Sequence, residues 1–217
     1  MNLHPNSHPI LFPRIRSFAS DVVDIAVQSL NFTLGRIWRK IFRPRQATSV
    51  EQLRKLRMLL HFWRFDSLGR RCGLGRRIRF AGNLEIRIGD RSAVLNNVTI
   101  VGEGSISIGK DSCIGDSCIV ATHSKITIGD NVMVAAFCYI IDSDHAFDDT
   151  NLLVMQQGIN VDPIVIENDV WIGAHTIILK GTHIGAGAII AANSVVKGTI
   201  PSRAIVYGSP GRVIGYR

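Results

Sequence analysis

The feature that most constrains this chain is a short repeat. From about Leu68 onward the sequence recurs as aliphatic–small–x–x–small–x. The clearest run is Ile108-Gly109-Lys110-Asp111-Ser112-Cys113, followed by Ile114-Gly115-Asp116-Ser117-Cys118-Ile119. It resumes at Ile128-Gly129-Asp130-Asn131-Val132-Met133 and again from Ile166 through Ile172-Gly173, Ile178-Leu179, Ile184-Gly185 and Ile190-Ala191. Leu68, Ile88, Ile108 and Ile128 are 20 residues apart, and Ile166 and Ile184 are 18 apart. Three hexapeptides make 18 residues, so one turn has three short flat sides, with two extra residues at a corner in the longer turns. Each turn stacks on the last as parallel strands, about 4.8 Å higher. The aliphatic residue fills the interior of a prism and the small residue fits its tight corner. A narrow prism has little room for rings, in keeping with an aromatic share of only 7%. About six coils fit between residues 68 and 200, enough for a solenoid to stand alone.

This pattern resembles the hexapeptide-repeat acyltransferases over roughly 130 residues. The resemblance implies a mainly β fold, a left-handed parallel β-helix. Its hand is opposite to the usual right-handed crossover and comes from the resemblance alone.

One gap breaks the repeat. Ile128 to Ile166 is 38 residues, one 18-residue coil plus a 20-residue insertion placed at 142–162. A long loop extruded from one coil is normally functional. Its root reads Ile141-Asp142-Ser143-Asp144-His145. A neutral imidazole there can accept a proton, with Asp142 or Asp144 fixing its tautomer; equally, the histidine can be a surface residue in an acidic turn. The order Ile128-Gly129-Asp130-Asn131-Val132, Asp144-His145, Pro163-Ile164-Val165-Ile166, Asp169-Val170-Trp171-Ile172-Gly173 is similar to that of the maltose and galactoside acetyltransferases. That resemblance makes His145 the general base of direct acetyl transfer from acetyl-CoA to a sugar hydroxyl, with Asp142, Asp144, His123 and Trp171 toward the acceptor. Two extra residues separate His145 from Trp171 relative to that pattern. His123 stands where the family tends to carry a carboxylate, which implies a different acceptor. Trp171 points outward, either as a pocket edge or as a contact between subunits. His175 and His183 fall at outward repeat positions, solvated or interfacial. A zinc site of the kind found in β-helical carbonic anhydrases expects a ligand five residues after the histidine, and Thr150 stands there, so no metal is expected.

The resemblance also implies three subunits with coenzyme A bound along an edge between two of them. Gly173, Ala174 and Ala192 supply small corners there, although every hexapeptide corner is small. The ending Val195-Val196-Lys197-Gly198-Thr199-Ile200-Pro201 and Gly208-Ser209-Pro210-Gly211-Arg212-Val213-Ile214 resembles the family's terminus, packing back along the prism. Lys197 and Arg212 would meet the nucleotide phosphates. Lys197 lies one residue early, and Gly215 replaces a common second base, for which Arg217 could compensate.

Composition separates the chain into unlike parts. At 46% hydrophobic and 19% charged, it can bury a core and is not intrinsically disordered. The net charge is +8, but residues 1–80 hold 16 Lys+Arg against 4 Asp+Glu and residues 81–217 hold 9 against 13. The basicity therefore belongs to one end. The region 1–65 has no hexapeptides and predicts two helices, Ser20 to Phe42 and Ser49 to Phe65. The first carries an apolar stripe (Val23, Val27, Leu30, Leu34, Ile37, Ile41) and a cationic end, and the second opens on a capping box of Ser49 and Gln52. Such helices cap the prism or lie on anionic lipid as a peripheral membrane contact; no nucleic-acid motif accompanies them. The run 18–34 is too interrupted for a signal or a span. Four cysteines at irregular spacing, three of them (Cys72, Cys118, Cys138) at the small inward position, read as free thiols in a cytoplasmic protein. The domain reading is 1–65 basic helical region, 66–200 β-helix, and 201–217 terminal segment on the cofactor edge. The functional expectation is a saccharide O-acetyltransferase of surface polysaccharide or lipopolysaccharide synthesis. An N-acetyltransferase of an amino sugar or antibiotic and a non-catalytic scaffold are the alternatives.

Overall fold

A computed structural model describes residues 64–217, all within the larger of two compact units, Ser49–Arg217. Almost all of region 1–65, with both of its predicted helices, lies outside the described residues. Three walls make a prism. Wall A stacks seven strands: Ser67–Leu68, Glu85–Ile88, Ser105–Ile108, Lys125–Ile128, Ile164–Ile166, His183–Ile184 and Thr199–Ile200. Wall B stacks Gly73–Leu74, Ala93–Val94, Cys113–Ile114, Met133–Val134, Trp171–Ile172, Ile189–Ile190 and Ala204–Tyr207, and is edged by Arg212–Tyr216. Wall C stacks Arg79–Ala81, Thr99–Gly102, Ile119–Thr122, Tyr139–Ile141, Ile177–Ile178 and Val195–Val196. The result is a parallel β-helix of about seven turns, one more than the repeat count predicts. The extra turn comes from the C-terminal end, where Ala204–Tyr207 pairs in parallel with the coil beside it. The prism thus runs past residue 200. Only Arg212–Tyr216 turns back, pairing antiparallel with Ala204–Tyr207.

The register follows the spacing of the repeat. Ile88, Ile108, Ile128, Ile166 and Ile184 align in one inward column of wall A. Leu74, Val94, Ile114, Val134, Ile172 and Ile190 do so in wall B. Ile100, Val120, Ile140 and Ile178 do so in wall C. These side chains are buried and form one continuous core. The coil on either side of the insertion is unbroken, because Ile128 pairs directly with Ile166.

The corners explain the small residues. A Cβ on Gly109 would lie 2.5 Å from the Gly129 carbonyl carbon of the next coil, so the stacking itself demands glycine there. At the other small position a hydroxyl or thiol donates to the corner carbonyl of the next coil. Ser92 Oγ donates to Gly109 O (2.6 Å), Ser112 Oγ to Gly129 O (2.8 Å), Cys118 Sγ to Ala135 O (3.1 Å) and Cys138 Sγ to Gly173 O (3.2 Å). The inward cysteines are therefore structural, as their repeat position predicts. Burial pushes the Cys72 thiol up, and the adjacent Cys138 thiol together with burial does the same for Cys118. Among the described residues no helix is long and apolar enough to cross a membrane.

A reagent has to reach the sulfur, so the three buried cysteines resist alkylation while half-exposed Cys113 reacts. A colorimetric thiol reagent is expected to titrate one cysteine in the folded protein and four in denaturant.

Candidate active site

The insertion leaves the prism at the corner between walls C and A, in the fourth coil. Its neck closes where the Asp162 N–H donates to Asp142 O (2.9 Å). From there it rises as a hairpin, Ser143–His145 against Ile159–Val161, with His145 opposite Ile159. The tip is held by its own polar groups. Gln157 Nε2 donates to Asp149 O (2.9 Å) and Leu152 O (3.1 Å), and the Asp149 N–H donates to Gln157 Oε1 (3.0 Å). This arrangement leaves Phe147, Leu153 and Met155 exposed, Met155 by 82%.

Asp142 is fully buried, and its carboxylate accepts Thr122 Oγ1–H (2.7 Å), the His123 N–H (2.7 Å) and the Ser124 N–H (2.9 Å). It ties down the corner of the coil beneath. The carboxylate is fully committed to that corner, so within this chain Asp142 neither faces an acceptor nor orients His145. Asp144 pairs with Lys180 Nζ at 3.0 Å, bracing the hairpin on the coil above. The imidazole of His145 is exposed, and within the described residues it has no hydrogen-bond partner. A tautomer-fixing contact from Asp142 or Asp144, expected from the sequence, is thus not made in the single chain. His123 is exposed in the corner just below the loop root.

The other predicted residues lie elsewhere. Trp171 is 48% exposed on the outside of wall B, between Met133 and Ile189 in register, and wall B is opposite the C–A corner. Gly173, Ala174 and Ala192 lie at the B–C corner. Gly173 is buried, and a Cβ there would meet Ala192 N at 2.5 Å, so coil stacking accounts for its being glycine. Ala192 is exposed and Ala174 half-buried. Lys197 is exposed in the C–A corner two coils above the hairpin root, and Arg212 is exposed on the antiparallel edge of wall B. Arg217 bonds Asp169 Oδ2 (3.0 Å) and Gly187 O (3.2 Å), clasping the A–B corner instead of standing in for a second phosphate contact. A shallow depression there of about 440 Å³, lined by Asn168, Asp169, Gly187, Arg203 and Arg217, is remote from the hairpin. Among the described residues no three His, Cys, Asp or Glu side chains converge as a metal site.

One chain therefore brings together Asp142, Asp144, His123 and His145 on the C–A corner, but not Trp171 or the small corner residues. Sequence reasoning missed Thr122 and Lys180, although the repeat carried a signal for both. Val120, Ile140 and Ile178 share one column of wall C, so the residues two positions further on, Thr122, Asp142 and Lys180, fall into another.

Two family profiles match the chain. Bacterial transferase hexapeptide (six repeats) covers residues 163–198, and the hexapeptide repeat of succinyl-transferase covers 105–141. A protein of Mycobacterium tuberculosis described as a "Probable acetyltransferase" is 41% identical over 85 residues, 39% of this chain and 28% of that one. The 2,3,4,5-tetrahydropyridine-2,6-dicarboxylate N-acetyltransferase of Staphylococcus aureus is 48% identical over 52 residues, 24% of this chain and 22% of its own length. The match thus spans less than a third of either relative. Among solved structures, a hexapeptide-repeat-containing acetyltransferase of Vibrio cholerae complexed with acetyl coenzyme A superposes with a TM-score of 0.51 at 26% identity, covering 87% of each chain. AntD, an N-acyltransferase from Bacillus cereus in complex with dTDP and 3-hydroxybutyryl-CoA, shares the fold with a TM-score of 0.59 at 20% identity, covering 74% of this chain and 88% of that one.

Removing the Asp142 carboxylate leaves two backbone donors and a hydroxyl unpaired at a buried corner. Asp142→Ala is expected to destabilise the protein by about 3 kcal/mol or more in denaturant unfolding. Lys180→Met frees only the hairpin, and is expected to speed proteolysis at the loop tip with little change in the global unfolding midpoint.

Proposed function

We propose that this chain, a member of the bacterial hexapeptide-repeat transferase family, is an acetyltransferase that moves the acetyl group of acetyl-CoA directly onto a saccharide hydroxyl, with His145 as general base. The observation that carries this reading is the hairpin itself. The stacked coils brace it through Asp142 and Lys180, yet it holds a solvent-facing imidazole with both ring nitrogens open to an incoming group. His145 takes the acceptor's hydroxyl proton as that oxygen bonds to the thioester carbonyl carbon. The tetrahedral oxyanion then collapses, the C–S bond breaks, and the imidazolium returns the proton to the departing thiolate. General-base help of this kind is worth about 10²–10⁴ in rate.

The cofactor candidates fit the second half of the reading. Ala174 and Ala192 offer a smooth corner, and Lys197 and Arg212 are exposed cations near the same end of the prism. Ala174, Ala192 and Arg212 lie across wall C or on wall B, away from the C–A corner that carries the hairpin and Lys197, so a complete site takes the hairpin of one subunit and the corner of another. Outward residues support such an assembly, which we take to be a homotrimer. Wall B presents Met133, Trp171 and Ile189, and wall C presents Ile119, Tyr139 and Ile177, whereas wall A presents Ser107, Thr127, Val165 and His183, with Val165 its one apolar member. At the B–C corner between the apolar walls, Phe137 sits at φ 62° with 55% exposure and stacks on His175 at 4.9 Å. A bulky residue at positive φ is disfavoured, and burial against a neighbouring subunit offsets that strain.

N-acetylation of an amino sugar is the second reading, favoured by the N-acetyltransferase named among the sequence relatives. A surface glycan or its lipid-linked precursor is the acceptor class we favour, and a screen of nucleotide sugars, oligosaccharides and amino sugars separates the two.

With a competent acceptor, His145→Ala is expected to slow acetyl-CoA consumption at least a hundredfold; equal rates in the two proteins would remove the base assignment. Sedimentation is expected to give three times the chain mass. A stable monomer that remains active would rule out the shared site.

A further inference from the structure

The first coil of the prism is unlike every later one. Residues 64–79 hold six arginines and one acid, and that acid, Asp66, is occupied in accepting the Ile86 N–H at 2.6 Å. Arg70 and Arg71 stand at the A–B corner, Arg76 and Arg77 at the B–C corner, and Arg79 on wall C, so the cations surround the end of the prism. All five are exposed, and none pairs with a carboxylate among the described residues. One coil higher the same A–B position holds Arg91, already neutralised by Asp111. By the third coil the corners carry Asp111 and Asp116.

Backbone geometry makes this cluster costly. Each A–B and B–C corner contains a left-handed residue, a conformation that Asn and Asp tolerate best among residues with a side chain. In later coils the position holds Asn97, Asp111, Asn131, Asp169 and Asn193, but also Arg91, Ser117, Phe137, His175 and Arg203. In the first coil it holds Arg71 (φ 58°) and Arg77 (φ 55°). Two arginines thus occupy sites where asparagine would be less strained, next to three more cations that repel them.

We propose that the end of the first coil is a docking surface for an anionic lipid bilayer. Arg70, Arg71, Arg76, Arg77 and Arg79 are spread over two corners and one wall of the coil, which suits a plane of headgroup phosphates better than a strand of nucleic acid. Arginine forks also pair well with phosphate oxygens. The preceding segment points the same way by sequence. Residues 1–63 hold 10 Lys+Arg against 3 Asp+Glu, so the sequence leading into the coil adds net positive charge. The surface is independent of acetyl transfer, because vesicle binding is read without acceptor or acetyl-CoA.

The test uses the full-length chain in flotation with phosphatidylcholine vesicles, alone or with one third phosphatidylglycerol. The wild type is expected to float only with the anionic vesicles and to be released by salt. Arg71→Asn with Arg77→Asn relieves the left-handed strain, so its melting temperature is expected to hold or rise. Each lost arginine is expected to weaken binding about fivefold, more than tenfold for the pair. Lys110→Gln with Lys125→Gln removes the same charge from the third and fourth coils and is expected to leave binding near wild type. Equal flotation with neutral vesicles, unchanged binding by the arginine pair, an equal loss in the lysine pair, or binding to single-stranded RNA without binding to vesicles would each overturn the proposal.

Discussion

Everything in this prism depends on the hydrogen bonds that join each coil to the next. Gly69 N–H to Ile88 O, Gly89 N–H to Ile108 O and Gly109 N–H to Ile128 O, each at 2.7 to 2.8 Å, are successive rungs of one ladder. That spacing leaves no room for a Cβ at the corner and only a small group at the second corner position. It also puts every aliphatic residue directly over its counterpart, so the core is a set of columns. The small polar residues then become necessary, since each hydroxyl or thiol reaches a carbonyl that the sharp corner leaves short of a donor. Stacking, packing and polar satisfaction are one constraint, met six residues at a time.

A departure from such a lattice has to be repaired on both sides, and the inserted hairpin is repaired by charge. Asp142 bonds downward to three donors in the corner of the third coil, and Lys180 reaches from the fifth coil to Asp144. The insertion therefore does not loosen the stack. It gives the protein a stiff arm carrying His145, at a point where neither neighbour in the sequence is free to serve the imidazole.

The prism was legible because its interior tolerates so few residue types that the chain cannot disguise the period. Coil stacking, the inward cysteines and the position of the insertion all follow from that. The role of Asp142 was not legible. An acid at a loop root looks the same whether it faces a ligand or a buried corner, and only its register over Thr122 distinguishes the two. Lys180 was overlooked because lysine in a surface repeat reads as solvent-facing until its corner is counted. Counting corners also separates Trp171 from His145, a division that the linear motif order conceals. The turn count fell short because the last coil keeps the register while losing the clean hexapeptide.

A prism of fixed pitch is also a ruler. The arginines encircle the first coil, and the hairpin root leaves the fourth, three steps of about 4.8 Å away. With its charged end against a surface, the arm that carries His145 projects about 14 Å above that surface, sideways from the axis. Distance from the plane then becomes a selector in its own right. On the two proposals made above, the acceptor groups at that height are the ones presented to the imidazole, whatever the local pocket prefers.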